Sequence, residues 1–268
     1  MIVVPKYHGR LGNNLFQYVW PRILSTILGY RFVAPPLLNL ETDIPGEEYD
    51  SPIQEVQDFA PHPGVVVPIG EVINRRDHRK IIIQGFFQQA DKYTAYRSMI
   101  KEWFKSSLTP VEHPRGTLGI SIRIAKADFC ALGWDLPLSY YKIAIQRAME
   151  AVSPTKCFIY ADVPAIDLTD HINLLSKSCD VRVLSHLDPL SQFQSMMGCP
   201  NIIGCNSTFS WWSAFLSNAK NVWMPYNWQP WGTTQKRDKD RTIGTQYPVD
   251  LRCYQEGWHI VDMDGIRE

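Results

Sequence analysis

The stretch that most constrains the fold is the first one. A short apolar run, Met1 to Val4, is followed by a glycine turn, His8-Gly9-Arg10-Leu11-Gly12-Asn13-Asn14, and then by a run with the period of a helix. Leu11, Leu15, Val19, Ile23 and Ile27 step by four, and Phe16, Trp20, Leu24 and Leu28 step by four beside them. Together they make a wide apolar stripe on one helix face. Gly29 stands where a left-handed C-terminal cap is expected, and Pro21 inside the run predicts a kink. The segment therefore reads as strand, glycine turn, helix. The glycines let the backbone take positive φ and approach a ligand closely. A helix start presents N–H groups and a positive partial charge that suit a phosphate, and Arg10, Asn13 and Asn14 add donors. Taken alone, the same stretch reads equally well as a plain turn with an asparagine cap.

The same grammar recurs along the chain. Tyr30 to Val33 is a candidate second strand. Glu41 to Pro63 is polar, dotted with proline and without period, so it is expected to be loop with short elements. Val65 to Val67 is a short β-branched run, and Ile81-Ile82-Ile83 is a buried-type strand leading to Gln84-Gly85-Phe86-Phe87-Gln88-Gln89. The C-terminal end of such a strand is where open α/β sheets bind ligands. Tyr93 to Phe104 has a helical period. Ser106 to Thr117, rich in proline and serine, reads as the boundary between two domains.

Beyond it, Leu118, Ile120, Ile122 and Ile124 alternate with Gly119, Ser121 and Arg123. If that strand is covered on both faces, an arginine near its end requires an anion. Ser139 to Ala151 predicts a helix with Ser139 as its N-cap. Strands are expected at Cys157 to Tyr160, ending on Ala161-Asp162, at Val181 to Leu184, at Asn201 to Gly204 and at Asn221 to Met224. Helices are expected at Pro189 to Met197 and Ser210 to Leu216. Asn206, Ser207 and Thr208 lie on a strand-to-helix turn, a second candidate phosphate cradle. Trp258 to Val261 is a closing strand or helix edge. Alternating strands and helices in both halves predict an α/β architecture with parallel sheets. The expected division is an N-terminal domain over 1–110, a C-terminal domain over 117–250 and a tail, 251–268, that packs back.

Composition narrows the partners. Lys plus Arg and Asp plus Glu both number 27, so the net charge is zero, and nothing predicts binding to nucleic acid or to an acidic membrane surface. Hydrophobic residues make up 45%, enough for a substantial core. There is no secretory signal pattern and no apolar run of membrane-spanning length. Cys130, Cys157, Cys179, Cys199, Cys205 and Cys253 form no C-x-x-C pair and no zinc spacing. Reduced, mostly buried thiols in a cytoplasmic protein are expected. Asp262-Met263-Asp264 is a literal D-x-D, but it lies in the tail rather than at a strand end, so no metal is expected.

Three stretches together carry a resemblance. Gly9-Arg10-Leu11-Gly12-Asn13-Asn14-Leu15-Phe16-Gln17-Tyr18 resembles the G-x-L-G-N-Q-x-F-Q-Y opening of the family 11 glycosyltransferases, the α1,2-fucosyltransferases. Asn206-Ser207-Thr208-Phe209-Ser210-Trp211-Trp212-Ser213-Ala214 is similar to that family's N-S-[ST]-F-S-W-W-[GS]-A element. Gly85-Phe86-Phe87-Gln88 with Lys92-Tyr93 resembles its G-[YF]-[FW]-Q-x-x-x-Y stretch. The resemblance implies a GT-B-like fold of two Rossmann-like domains with parallel sheets facing across a cleft. It also implies a metal-independent, cofactor-free, inverting enzyme. The implied donor is GDP-fucose, and the acceptor is a glycan hydroxyl, usually of galactose.

One motif departs. The family's H-x-R-R-G-D-Y falls at the end of the first strand of the second half. Aligned without a gap, Arg123 takes the place of its His, Ala125 of its first Arg, Lys126 of its second and Asp128 of its Asp. Alternatively, Ser121-Ile122-Arg123 matches H-x-R directly, with two residues inserted before Asp128. Arginine holds a diphosphate in a bidentate fork, lysine as a point charge, so the change bears on the donor more than on the fold. The candidate catalytic residues are Arg123 for the leaving group, Asp128 as base and Asn13. Candidate donor contacts are Gly9, Arg10, Gly12, Asn14, Lys126, Asp162, Asn206, Ser207, Thr208, Phe209 and Ser210, with Asp162 on base or ribose. Gln17 and Gln88 are the acceptor candidates. Trp211 and Trp212 read as helix core. Two further readings keep the fold: another nucleotide-sugar donor, which Ala125 would reflect, and a non-catalytic glycan- or nucleotide-binding relative.

Overall fold

The computed structural model describes residues 1–48, 53–58, 80–88, 91–124, 135–176, 178–226 and 257–261. The chain divides into two compact units, Met1–Leu108 and Thr109–Glu268.

In the first unit the described strands are β1 (Ile2–Val3), β2 (Phe32–Val33), β3 (Asp43–Ile44), β4 (Ile53–Asp58) and β5 (Lys80–Gly85), ordered β3-β2-β1-β5-β4 in one sheet. All pairs are parallel except β2 with β3. The chain runs outward from β1 to one edge at β3, crosses to the opposite edge at β4 and steps back to β5 beside β1. The strand order therefore reverses between β1 and β5. Helix α1 (Leu11–Leu28) crosses from β1 to β2 and ends on Gly29, whose φ of 71° makes the left-handed cap. The helix continues through Pro21 as one element. Its buried stripe holds Leu15, Phe16, Val19, Ile23 and Leu24, while Ile27 is 39% exposed and falls outside the stripe expected of it. Two elements differ from expectation. The polar Glu41–Pro63 region supplies β3 and β4; β4 pairs along its length with β5, so backbone ladder rather than apolar period makes it a strand. The helix expected from Tyr93 is two pieces, α2 (Asp91–Thr94) and α3 (Arg97–Phe104), separated where Tyr96 leaves helical geometry with ψ of 8°.

The second unit is a six-stranded parallel sheet among the described residues, ordered β11-β10-β9-β6-β7-β8. Its strands are β6 (Thr117–Ile122), β7 (Lys156–Ala161), β8 (Asp180–Val183), β9 (Asn201–Ile203), β10 (Asn221–Pro225) and β11 (His259–Val261). Counted from β6, this is the 3-2-1-4-5-6 order of a dinucleotide-binding sheet, with its reversal between β6 and β9. Every residue of β6 is buried, as a central strand covered on both faces must be. Gly119 is required there, since a Cβ would come within 2.8 Å of Cys199 Sγ.

Helix α4 (Leu138–Val152) packs Tyr140, Tyr141, Ala144, Ile145 and Ala148 on the sheet. Its N-cap is Pro137, not the expected Ser139; the fixed φ of proline suits the last extended residue before the helix. A short 3-10 turn (Ala165–Leu168) and α5 (Thr169–Asn173) follow β7. Helix α6 (Pro189–Met197) begins on Asp188, which accepts from the N–H groups of Leu190 and Ser191, an N-cap of the usual kind. Helix α7 (Thr208–Leu216) is buried on nearly every side, which marks it as core. Trp211 and Trp212 are 1% and 0% exposed, in keeping with the core role read for them. Cys157, Cys179, Cys199 and Cys205 are free thiols; Cys130 and Cys253 lie outside the described residues, as do Val65–Val67 and Asp262-Met263-Asp264. No helix among the described residues is long and apolar enough to cross a membrane.

Candidate functional site

Each unit gathers its motif residues where its strand order reverses. In the first unit, the chain leaves β1, turns at Gly9 (φ 82°) and enters α1 from an extended Arg10. The turn is held from inside the helix. Gln17 Oε1 accepts from the His8 N–H at 2.8 Å, and Gln17 Nε2 donates to the carbonyls of His8 at 2.7 Å and Asn13 at 3.0 Å. With its amide nitrogen facing the turn, Asn14 donates to His8 O at 3.2 Å and Arg10 O at 3.3 Å. Gln17 is 2% exposed. It clamps the turn, a structural role beside the acceptor contact expected of it. Gly12 departs from its expected role: it is buried inside the first turn of α1 with ordinary helical φ, so close approach of the backbone falls to Gly9 alone. A Cβ at Gly9 would lie 2.4 Å from Asn13 Nδ2.

The end of β5 meets this turn. Gln88 Nε2 donates to Asn13 Oδ1 at 3.1 Å, joining two of the three motifs. Gln88 reaches it because Phe87 takes a left-handed φ of 50°, a strained geometry for an aromatic residue. The Tyr93 hydroxyl fixes that geometry by donating to Phe87 O at 2.6 Å. The Phe87 ring is 2% exposed, and the Lys92 ammonium lies 5.5 Å from its centroid and 4.9 Å from that of Trp20. Arg10 and Gly9 are exposed at the surface of the turn.

In the second unit, three strand ends converge. Arg123 is the first residue past β6, and Asp162 the first past β7. The register pairs Ile122 with Ala161, so the two side chains leave the sheet side by side. Arg123 Nη1 lies 3.6 Å from Asp162 Oδ2, with the side chains only 15% and 10% exposed. The Arg123 guanidinium also stands 4.7 Å from the centre of the Phe209 ring, a cation–π contact. Asp162 Oδ1 accepts the Ile124 N–H at 3.2 Å.

The third strand end, β9, runs through Gly204, Cys205 and Asn206 into α7. Gly204 admits no side chain, since a Cβ would lie 2.2 Å from Met224 Sδ. Ser207 is the extended N-cap of α7, without a side-chain cap bond and with no acidic residue in the first turn. Two tyrosines of α4 secure these strand ends from below: Tyr140 donates to Gly204 O and Tyr141 to Ser121 O at 3.4 Å. Ser210 is fully buried and accepts the Cys205 N–H at 3.0 Å, so it shapes the turn. Burial pushes the Cys205 thiol up to about 11, which keeps it neutral beside the cation. Lys126, Asp128 and Ala125 lie outside the described residues.

The geometry thus gathers Asn13, Asn14 and Gln88 in one unit and Arg123, Asp162, Asn206, Ser207 and Phe209 in the other. The Arg123–Asp162 pair and the anchoring roles of Gln17, Tyr93, Tyr140 and Tyr141 were not read from the sequence. A signal for the first existed: two adjacent parallel strands, each ending on a charged residue of opposite sign.

The family model described as Glycosyl transferase family 11 matches residues 169–242, a span that includes Asn206 to Ser210. No curated protein sequence matches the chain. Among solved structures, the crystal structure of POFUT1 in complex with GDP superposes with a TM-score of 0.50 at 9% identity, over 80% of this chain and 94% of that one. A crystal structure of POFUT1 in complex with GDP-fucose gives a TM-score of 0.48 at 10% identity, over 99% of this chain and 98% of that one. Likeness at such low identity speaks to the fold, a mixed α/β architecture with parallel sheets. The activity follows from the matched segment, which lies in the second unit and contains its strand-to-helix turn. On that segment, the fold and the three motifs, the chain is a glycosyltransferase that resembles family 11.

Proposed function

We propose that the chain moves L-fucose from GDP-fucose to a glycan hydroxyl, at O2 of a galactose, with inversion and without a metal. The observation that carries this reading is the convergence in the second unit. A nearly buried guanidinium and the uncapped start of α7 meet where a 3-2-1-4-5-6 sheet reverses its order, the position at which such sheets hold nucleotides. The POFUT1 structure with the higher TM-score is a complex with GDP, which supports a guanine nucleotide as the donor's carrier. The placement of Arg123 immediately past β6 favours the alignment in which Ser121-Ile122-Arg123 stands for H-x-R, with Arg123 as the pyrophosphate arginine.

Transfer from a nucleotide sugar develops positive charge on the sugar ring, by analogy with glycosidases, and negative charge on the departing diphosphate. Arg123 and the backbone N–H groups in the first turn of α7 oppose that negative charge. The first unit supplies neutral amides, Asn13 and Gln88, whose chemistry suits sugar hydroxyls, and Asp128 is the proposed base for the acceptor proton. We assign the acceptor to the first unit and the donor to the second.

Ala125, standing where one alignment puts the motif's first arginine, favours a second reading with a different nucleotide-sugar donor. A thermal-shift panel of nucleoside diphosphate sugars separates the two, since a ligand that binds the native state raises its apparent stability by mass action. GDP-fucose is expected to give the largest shift and to be consumed with a galactose-terminated acceptor. A larger shift and turnover with another donor would establish the second reading. No shift with any member of the panel would remove the donor site.

A further inference from the structure

Asp162 sits at a strand end where a nucleotide's ribose could be touched, yet its geometry faces another way. Its Oδ1 accepts the N–H of Ile124, the residue directly after Arg123, and so fixes the backbone that carries the guanidinium. Its Oδ2 is buried without a hydrogen-bond partner among the described residues and lies 3.6 Å from Arg123 Nη1. On the other side, the guanidinium meets the Phe209 ring. A buried cation without a counter-charge is costly, and here the counter-charge comes from the neighbouring strand. At 3.6 Å the pair is an ion pair but too long for a hydrogen bond. Among the described residues no side-chain N–H of Arg123 donates within hydrogen-bond distance. The carboxylate therefore orients the fork while leaving its N–H donors for a diphosphate.

We propose that Asp162 is a positioning residue that acts on the donor through Arg123, holding the guanidinium for the diphosphate, and that it does not itself touch the ribose. The proposal rests on the donor-site reading above and deepens it.

The test is a double-mutant cycle on nucleotide affinity, measured by calorimetry with GDP and with 2′,3′-dideoxy-GDP, which lacks the ribose hydroxyls. Asp162→Asn is nearly isosteric and removes the charge. It is expected to weaken GDP about tenfold, within the usual range of coupling between contacting groups, and to weaken the dideoxy analogue by the same factor. In an Arg123→Ala background the same change is expected to cost less than about twofold, because the group it acts through is gone. Three results would overturn the proposal: unchanged or tighter GDP binding by Asp162→Asn, an undiminished loss in the Arg123→Ala background, or a loss that vanishes with the dideoxy nucleotide. Wild-type protein that binds neither nucleotide would overturn the donor-site reading and the proposal with it. Wild-type binding together with any of the three results overturns the proposal alone. Should Asp162→Asn fail to fold, Asp162→Glu keeps the charge and shifts it by one methylene. It enters the same cycle, with a loss that must likewise disappear when Arg123 is removed.

Discussion

The two units solve one problem with different chemistry. Each is a mostly parallel sheet whose strand order reverses beside its first strand, and each places a strand-to-helix turn at the reversal. In the first unit the turn is made of neutral amides bonded to one another and to backbone: Gln17 to His8, Asn14 to His8 and Arg10, Gln88 to Asn13. In the second, the turn is faced by an ion pair, Arg123 with Asp162, set against an aromatic ring. Fixed amides impose direction on neutral hydroxyls, and a guanidinium answers a group that gains charge as it leaves. The difference is the ground for the proposed division, with the leaving group on the second unit and the neutral partner on the first.

The sharpest way to break this division is to remove the charge. Arg123→Ala should weaken GDP roughly 100-fold, the loss of a buried, charge-assisted pair of bonds worth about 3 kcal/mol. Loss of so little as a factor of two in a calorimetric titration would move the diphosphate elsewhere. The counterpart in the first unit should act on folding. Gln17→Ala leaves both polar groups of His8 without the clamp inside a nearly closed environment, at a cost of about 1–3 kcal/mol. Chemical denaturation should show that loss while GDP affinity of the folded fraction stays near wild type. If instead stability is unchanged and only acceptor-dependent turnover falls, Gln17 is an acceptor contact after all.

These two residues also mark what a sequence discloses. Helices α6 and α7 and strand β6 were legible because their length and apolar content agree with their burial. Arg123 was legible as a cation at a strand end. Strand β4 was not, because Ile53-Gln54-Glu55-Val56-Gln57-Asp58 has no alternation and exists through its ladder with β5. The Arg123–Asp162 pair depends on β6 and β7 being neighbours in register, a fact of topology that lies 39 positions apart in the chain. Gln17 carries a motif letter that suggests a ligand, but the helix turns it inward onto His8. Motif letters identify the turn, and only packing separates the residues that build it from those that face outward.

A smaller effect sharpens the same boundary. Asn13→Ala removes one partner of Gln88 and one wall of the Gly9 turn. Turnover should fall about tenfold, the usual scale for losing one positioned hydrogen bond, whereas GDP affinity should change by less than about twofold. Steady-state kinetics with varied acceptor, alongside GDP titration, separates the two. An equal loss in both would place Asn13 on the donor and dissolve the division of labour.

The smallest effect is one of pH, and it belongs to the second unit. His113 Nε2 lies 3.0 Å from both the carbonyl and the hydroxyl oxygen of Ser195 on α6, and its ring packs edge-on against Phe158 at 4.8 Å. Burial, reinforced by the Lys156 charge and partly offset by the Ser195 hydrogen bond, lowers its pKa below the ordinary histidine value; burial does the same for His171, with Asp170 acting against it. The sign follows from linkage. Below about pH 6.5 the unfolded chain takes up protons that the folded chain resists, so stability is complete above that value and declines as pH falls through it. Thermal unfolding between pH 7.5 and 5.5 should show a modest fall in Tm toward acid. His113→Gln, which keeps a donor for Ser195 but cannot charge, should flatten part of that slope. A slope that is unchanged in His113→Gln would move the acid sensitivity away from the contact between the 109–116 segment and α6.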